Sequence, residues 1–334
     1  MAKRLKEQTE IERWMDQNRR AVEFRNANGG NDWDKYRNAY NNRFGTQLEG
    51  GKEVDALDRT EMTFNQVFAN EKSMSPRVNV RRPRVYLYPR NKPEAFLHVK
   101  AMEAIDNALI DLLEWNREWR ACSKSTYLYG RGFIKVGFGS EFAPYGLEQE
   151  GVFQRSRSNV REDLPWLLHV PTKDILVPWR STRFSNLRAV FHRIVRHIDE
   201  VRSDPMYDEA AVKGLEPNIM DDGLSPNYRV NPDSGAQASK TVNTDFVELY
   251  EIHDFYERRI KLMSFDHPRW LMNHALDFQW NPFESLCWNP DDECFWSPSD
   301  VSQIWYHQLE TNAIRRTMTY LRRQMLIRII VEEG

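Results

Sequence analysis

The sequence predicts an α+β fold in which a long helix packs on short β-strands and a further helix follows at the C-terminal end. Three observations point to it. Leu97, Ala101, Ile105, Ala108, Leu112, Trp115, Trp119 and Cys122 recur at spacings of three and four, which is one apolar stripe of an α-helix. Short runs rich in β-branched and aromatic residues follow, each bounded by Gly, Pro, Asn or Asp. Ser297-Pro298 then opens a last periodic stretch, with Ser297 expected as N-cap, Pro298 at the first helical position and Asp300 near the positive dipole end.

The long helix is expected to start at Pro93-Glu94, because Pro has no N–H to lose in a first turn and Glu favours the dipole there. Met102, Leu109 and Leu113 widen its stripe, so it should be covered on more than one side. No Pro or Gly interrupts the run before Gly130. At 1.5 Å per residue a run of about 35 residues would reach roughly 50 Å, long for a globular core helix. Gly130 and Gly132 should stop it, with a strand over Phe133–Phe138.

Composition narrows the class. The chain has 334 residues, 29% of them charged, and a net charge of −2, so no global basic excess marks it as a nucleic-acid binder. Its three cysteines are too few for a disulfide framework and suggest a reducing compartment. The opening MAKRLKEQTE has no apolar core and does not read as a signal peptide. No run of about 18 apolar residues reads as a membrane span. The expected class is soluble and intracellular. The eleven tryptophans are many, and such side chains are enriched at interfaces.

Along the chain, residues 1–60 read as an N-terminal helical arm, broken at Asn28-Gly29-Gly30-Asn31-Asp32 and again at Glu49-Gly50-Gly51-Lys52. Residues 61–297 read as the main α+β domain. Within it, Met62–Phe68 should be a short amphipathic helix and Pro76–Pro89 an extended segment holding two Pro-limited strand candidates. Further strands are expected at Leu164–Val170, Asp174–Trp179 and Ala189–Val195, with a short helix from Asp199. Residues 203–244 are rich in Pro, Gly, Asp, Asn and Ser and read as a surface insertion. Phe246–Tyr256 and Arg259–Met263 should form a hairpin or meander. Residues 298–334 complete the chain with the last helix.

The motifs that could carry chemistry are weak. Gly130-Arg131-Gly132-Phe133-Ile134-Lys135 is glycine-rich and holds a lysine. A phosphate loop needs the order strand to helix, and here it is helix to strand, so a tight turn is the expected role. Asp245, Glu248, Glu251, Asp254 and Glu257 recur every third residue. A helix would line them up, but Val247, Leu249, Tyr250, Ile252 and Phe255 favour a strand that scatters them over both faces. Paired carboxylates in this segment would suit a polymer-acting enzyme, a nuclease or glycosidase, and that is the alternative reading. Cys287 and Cys294, with His267 and His274 nearby, are spaced too widely for a zinc knuckle. No Walker A sequence, H-E-x-x-H or G-x-S-x-G occurs. No metal, cofactor or catalytic residue is therefore expected.

Taken in order, several pieces resemble the portal, or head-to-tail connector, proteins of tailed bacteriophages, closest to those of short-tailed phages. They are Asn65–Phe68 before an extended P-x-V-x-V…P segment, the Ala-rich helix with Asn107 and Glu118, and the Tyr-Gly-Arg-Gly-Phe-Ile-Lys-Val turn and strand. Pro171…Asp174-Ile-Leu-Val-Pro, Val247-Glu248-Leu249-Tyr250-Glu251 and Ser299-Asp300-Val301…Gln308…Asn312…Arg315 complete the set. The pattern spans about residues 60–325; residues 1–60 and 203–244 carry little of it.

The resemblance implies a wing region followed by a wing-to-stem helix. It implies a homo-oligomeric ring, usually of twelve subunits, at one capsid vertex of a virion assembled in the host cytoplasm. Double-stranded DNA would enter and leave through the ring. The implied partners are the major capsid protein, the terminase large subunit and tail adaptor proteins, with no membrane and no hydrolysis by the portal itself. Portals of this type carry in addition a clip, a second stem helix and a crown, none of which is legible here. Leu326, Ile327, Ile329, Ile330 and Val331 are apolar on all sides and mostly β-branched, with only Arg328 between them; they read as a strand or a buried helix end, and residues 326–334 are expected to lie at an edge with missing partners.

In the last helix Ile314, Met318, Leu321 and Met325 form one stripe. Gln308, Asn312, Arg315, Arg316, Thr319, Arg322 and Arg323 fall on an arc of about 120° away from it. That arc holds no acid, whereas a solvated face usually mixes signs. It reads either as an ordinary solvated face or as one that meets acidic partners, namely DNA phosphates in the channel or carboxylates of the adjacent subunit. Of these two partners the carboxylates are preferred, since channel walls in this family are often acidic and must let DNA slide. Part of the Pro93–Thr126 helix and of the Trp-rich stretch 270–296 is expected to be buried between subunits.

Overall fold

A computed structural model of the chain describes residues 2–44, 63–79, 83–89, 96–138, 148–149, 152–153, 165–204, 206–220, 242–243, 245–265, 267–276 and 280–328. The fold is α+β, with a C-terminal helix. In chain order the first elements are α1 (Ala2–Ala27), α2 (Trp33–Tyr40), α3 (Gln66–Val78), α4 (Phe96–Leu112) and α5 (Trp115–Tyr129). There follow β1 (Arg131–Phe138), β2 (Glu148–Gln149), β3 (Val152–Phe153), β4 (Pro165–Val170), β5 (Ile175–Leu176) and β6 (Ala189–His197). Next come α6 (Ile198–Ser203), α7 (Glu209–Val212), β7 (Ile219–Met220) and β8 (Val242–Asn243). The chain then forms β9 (Phe246–Asp254), β10 (Arg259–Met263), β11 (Met272–Ala275), β12 (Phe283–Cys287) and α8 (Asp300–Arg328).

Two antiparallel sheets lie face to face between helices. One has the order β12-β1-β4, the other β11-β10-β9-β6-β5. Side chains alternate across a strand, so each sheet has two working faces. On β1, a Cβ at Gly132 would meet Cys122 O and Thr126 Oγ1 of α5, so that face carries α5. The opposite face, with Phe133 and Lys135, points at the larger sheet, where Lys135 reaches Glu251. On the far side of the larger sheet, Ile11, Trp14, Ala21 and Val22 of α1 pack on Leu176, Ala189, Phe191, Tyr250 and Ile252. The layers thus run α5, small sheet, large sheet, α1.

The N-terminal helices are built into these cores. Lys261 of β10 is buried beneath the Trp14 and Trp270 rings and donates to Glu10 of α1 at 2.7 Å. Arg25 donates to the Lys173 carbonyl at 2.6 Å. Trp33, Tyr36 and Tyr40 of α2 join Val67, Tyr127 and Val301 in the core around α5.

Gly130 ends α5 with φ of 84°, the left-handed value at which a glycine is favoured. It also makes the turn possible sterically, because a Cβ there would lie 2.1 Å from the Ser297 carbonyl. The glycine-rich stretch is a helix-to-strand turn, as its order implied.

Several expectations need correction. The long helix is two helices, broken at Leu113-Glu114, with Glu114 left-handed at φ 49°. No Pro or Gly announces the break. Its cause is tertiary: α5 must follow the small sheet, while α4 holds residues 83–89. The Asn107 amide accepts from Val85 N and donates to Val85 O, both at 3.0 Å, and Glu103 accepts from Leu87 N.

Those bonds also explain why 83–89 is not a strand. A side-chain amide supplies the donor and acceptor that a neighbouring strand would give. Residues 76–78 are helical, since α3 runs through Pro76 to Val78. The strand over 174–179 shrinks to β5, after a single turn at Thr172–Asp174. Within 203–244, residues 206–220 are no loose insertion: Ala211, Val212 and Leu215 are buried with Val247, Leu249 and Leu262. Helix α8 starts at Asp300, where Ser299 Oγ accepts from Ser302 N. Ser297 is buried in the turn against Gly130 instead. The expected start at Pro93-Glu94, the Gly50-Gly51 loop, most of the insertion and residues 329–334 lie outside the described residues.

Candidate functional site

Helix α8 has 29 residues, about 44 Å at 1.5 Å per residue, and its two halves differ. The first half belongs to the core. Val301 and Gln308 are fully buried, and Ile304 and Trp305 pack on the α5 core. Gln308 closes the start of α3: its Oε1 accepts from Gln66 N at 2.7 Å, and its Nε2 donates to Phe64 O at 2.6 Å. A helix N-terminus leaves its first N–H groups without intrahelical partners, and Gln308 satisfies one of them. Asn312 accepts from Gln308 Nε2 at 3.2 Å.

The basic arc read from the sequence is therefore two things. Gln308 serves the fold, with Asn312 behind it, and Gln308 has no surface to offer a partner. The Arg315 guanidinium sits 5.0 Å from the centre of the exposed Phe64 ring, and Arg322 is exposed. Arg316 is exposed and engaged within the chain. The Arg323 side chain lies outside the described set.

The second half of α8 stands clear. Every residue from Ala313 to Arg322 is exposed. Ile314, Met318 and Leu321 are 49%, 54% and 47% exposed, although they form an apolar stripe. Helical stability in proteins comes mostly from packing an amphipathic face, and among the described residues nothing covers this one.

Helix α4 has the same property. Met102, Ile105 and Leu112 are 57%, 57% and 59% exposed, and Ala101, Ala104 and Ala108 are exposed beside them. Its polar positions Glu103 and Asn107 serve residues 83–89. The apolar stripe points the other way.

The tryptophans of 270–296 divide. Trp270 and Trp296 are buried in the cores, and Trp288 packs on Tyr127. Trp280, at 65%, is exposed. The expectation that this segment supplies an interface is corrected to Trp280, since Trp270 fills the space over Lys261 and Trp296 packs on Trp33 and Phe133.

Between the sheets lies a buried charge cluster. The Glu251 carboxylate accepts from Lys135 Nζ at 2.7 Å and bonds His192 Nδ1 at 3.1 Å and His253 Nε2 at 2.9 Å. The Phe283 ring packs against Lys135 and both imidazoles. Burial alone would raise the Glu251 pKa; the Lys135 ammonium and the two imidazoles outweigh it and hold the group well below the usual carboxylate range. Burial lowers the pKa of His253, against the pull of Glu251. This cluster ties β1 to β6 and β9. Its signal in the sequence is the period of two: Glu251 and His253 share a strand face, which a helical reading of the acids conceals.

The other acids of 245–257 point elsewhere. Glu248 pairs with Arg193 on the α1 side of the sheet. Asp254 caps the turn by accepting from Tyr256 N and Glu257 N, and Glu257 pairs with Lys261 at 2.6 Å. The strand scatters the carboxylates as expected. Lys135 is held by Glu251. Cys287 donates to Ser297 Oγ at 3.2 Å, and burial raises the Cys294 thiol pKa. Among the described residues no group of three or more His, Cys, Asp or Glu is placed to hold a metal ion, and no helix is long and apolar enough to cross a membrane. No protein-family model matches the chain, and no match to a curated protein was found.

Proposed function

We propose that this chain is a portal protein of a tailed phage, forming a closed ring at one capsid vertex through which double-stranded DNA passes. One observation carries the reading: the second half of α8 leaves Ile314, Met318 and Leu321 about half exposed, with nothing over them among the described residues. Apolar faces of this kind mark contacts between proteins. A helix projecting from an α+β body suits the wing-to-stem element that the resemblance implies. The order of pieces behind the resemblance supports the same reading, with Asn107 and the Gly130 turn in structural roles. In this reading DNA, the terminase, the capsid protein and the tail adaptor are the partners, and the ring turns over no substrate.

The test is size and shape in solution. Purified chain should sediment as a large closed species, and negative-stain images should show rings with a central opening. A chain that stays monomeric or dimeric at all concentrations contradicts the proposal.

A further inference from the structure

We infer that the cleft between α2, α3 and α5 is a binding site for a phosphoryl group, either free phosphate or a phosphomonoester. The cleft encloses about 460 Å³, within the range of pockets that take small molecules. Lys72, Arg120 and Lys124 all line it, and among the described residues Glu71 is the only acid in its wall. The cleft lies within one chain, so the site does not depend on the ring.

Helical spacing brings these groups together. Arg120 and Lys124 are four residues apart on α5, so they share a face. On α3, Glu71 and Ser75 have the same spacing and line the cleft with Lys72 beside them, and Tyr40 of α2 completes the lining.

The charges in this cleft do not balance. Glu71 is buried, and its carboxylate is already engaged. Lys72 Nζ lies 3.0 Å from Glu71 Oε2, and the Tyr40 hydroxyl donates to the same oxygen at 3.3 Å. Arg120 and Lys124 make no ion pair with a described acid. Lys124 instead places its ammonium 4.1 Å from the centre of the Tyr40 ring. Burial lowers the pKa of Lys124 against the pull of Glu71, and the Lys72 and Arg37 charges lower it further. That ammonium therefore sits beside charges of its own sign.

The excess charge selects the ligand class. Three lining cations and one carboxylate leave an excess of two positive charges. A phosphomonoester carries about −1.5 to −2 at pH 7 and matches it, whereas a carboxylate ligand supplies half of that. The Arg120 guanidinium is a planar fork suited to two phosphate oxygens at once, and lysine ammonium groups serve phosphate as point charges.

Lysine acetylation of the full chain, read by mass spectrometry, tests this. Inorganic phosphate, added against chloride at equal ionic strength, should slow acetylation of Lys124 saturably. Lys213, an exposed lysine paired with Glu209, should be unaffected. Adenosine 5′-monophosphate, with adenosine as its control, separates the two sources. Stronger protection by the nucleotide than by phosphate assigns the site to a phosphomonoester, and equal or weaker protection assigns it to the free anion. Arg120→Ala, at an exposed position, should keep the melting temperature and weaken the protection at least about tenfold, the effect of losing charge-assisted bonds. Lys124 acetylated at the same rate with and without both phosphate compounds overturns the proposal, and the unaltered chain suffices for that readout if the variant misfolds. Protection that a folded Arg120→Ala chain retains in full overturns it as well.

Discussion

Lys135 lies between the two sheets, its side chain 12% exposed, and pairs with Glu251. Removing one partner of a buried ion pair leaves an uncompensated charge, at a cost of about 3–5 kcal/mol. Lys135→Met leaves Glu251 with the His192 and His253 imidazoles and should lose a part of that in denaturant unfolding, whereas Arg117→Ala, which removes an exposed pair with Glu114, should change stability by less than about 0.5 kcal/mol. The same interior sets a response to acid. Burial lowers the pKa of His169, His253 and His267 from 6.5. Below pH 6.5 the unfolded chain therefore binds protons that the folded chain refuses, and stability falls as pH falls. Glu251 sits well below 4.5, so its contribution is present above that pH and is lost as acidification proceeds towards the folded value. Thermal melts across pH 3–8 should show a first decline below about 6.5 and a second below about 4.5. His253→Gln should shrink the first decline; a melting temperature flat from pH 7 to 5 would contradict the assignment. Sequence alone showed Lys135 as part of a glycine-rich loop and Glu251 as one acid among five. Their meeting needs two strands from different sheets, and no local pattern encodes that.

At the scale of elements, the sequence shows what is local and hides what is tertiary. The Gly130 turn, β1, β6 and the β9–β10 hairpin were legible from local periods and turn residues, and α8 from its period, although its start lies at Asp300 and not at Pro298. The break at Glu114 was not, because a run without Pro or Gly offers no local reason to stop. Its left-handed backbone costs a non-glycine residue about 1–2 kcal/mol. Glu114→Gly should therefore be neutral or stabilising by about 1 kcal/mol, and a marked loss of stability would show that the carboxylate matters more than the strain. Gly130→Ala should do the opposite. It adds the left-handed penalty and drives a Cβ into the Ser297 carbonyl at 2.1 Å, for a loss of at least about 2 kcal/mol in equilibrium unfolding. The basic arc of α8 was legible as a pattern and misjudged as a unit. Periodicity placed Gln308 on the same face as Arg322 but could not tell that α3 covers one end of the helix and leaves the other bare. The Trp-rich segment taught the same lesson: composition pointed to an interface, and packing kept Trp270 and Trp296 for the core.

At the scale of the whole molecule, the described chain folds around closed cores yet leaves two apolar helix surfaces uncovered. A monomer gains nothing from Ile314, Met318 and Leu321 on one helix and Ile105 and Leu112 on another. In the proposed ring such surfaces would be buried between copies. That is the physical content of the proposal that this chain is a portal, and it makes the oligomeric state the quantity to measure. Native mass spectrometry of the purified wild-type chain reads it most directly. The account predicts one dominant closed species at a single integral multiple of the chain mass, near twelve. A spectrum holding only the single chain or a dimer at every concentration would contradict it.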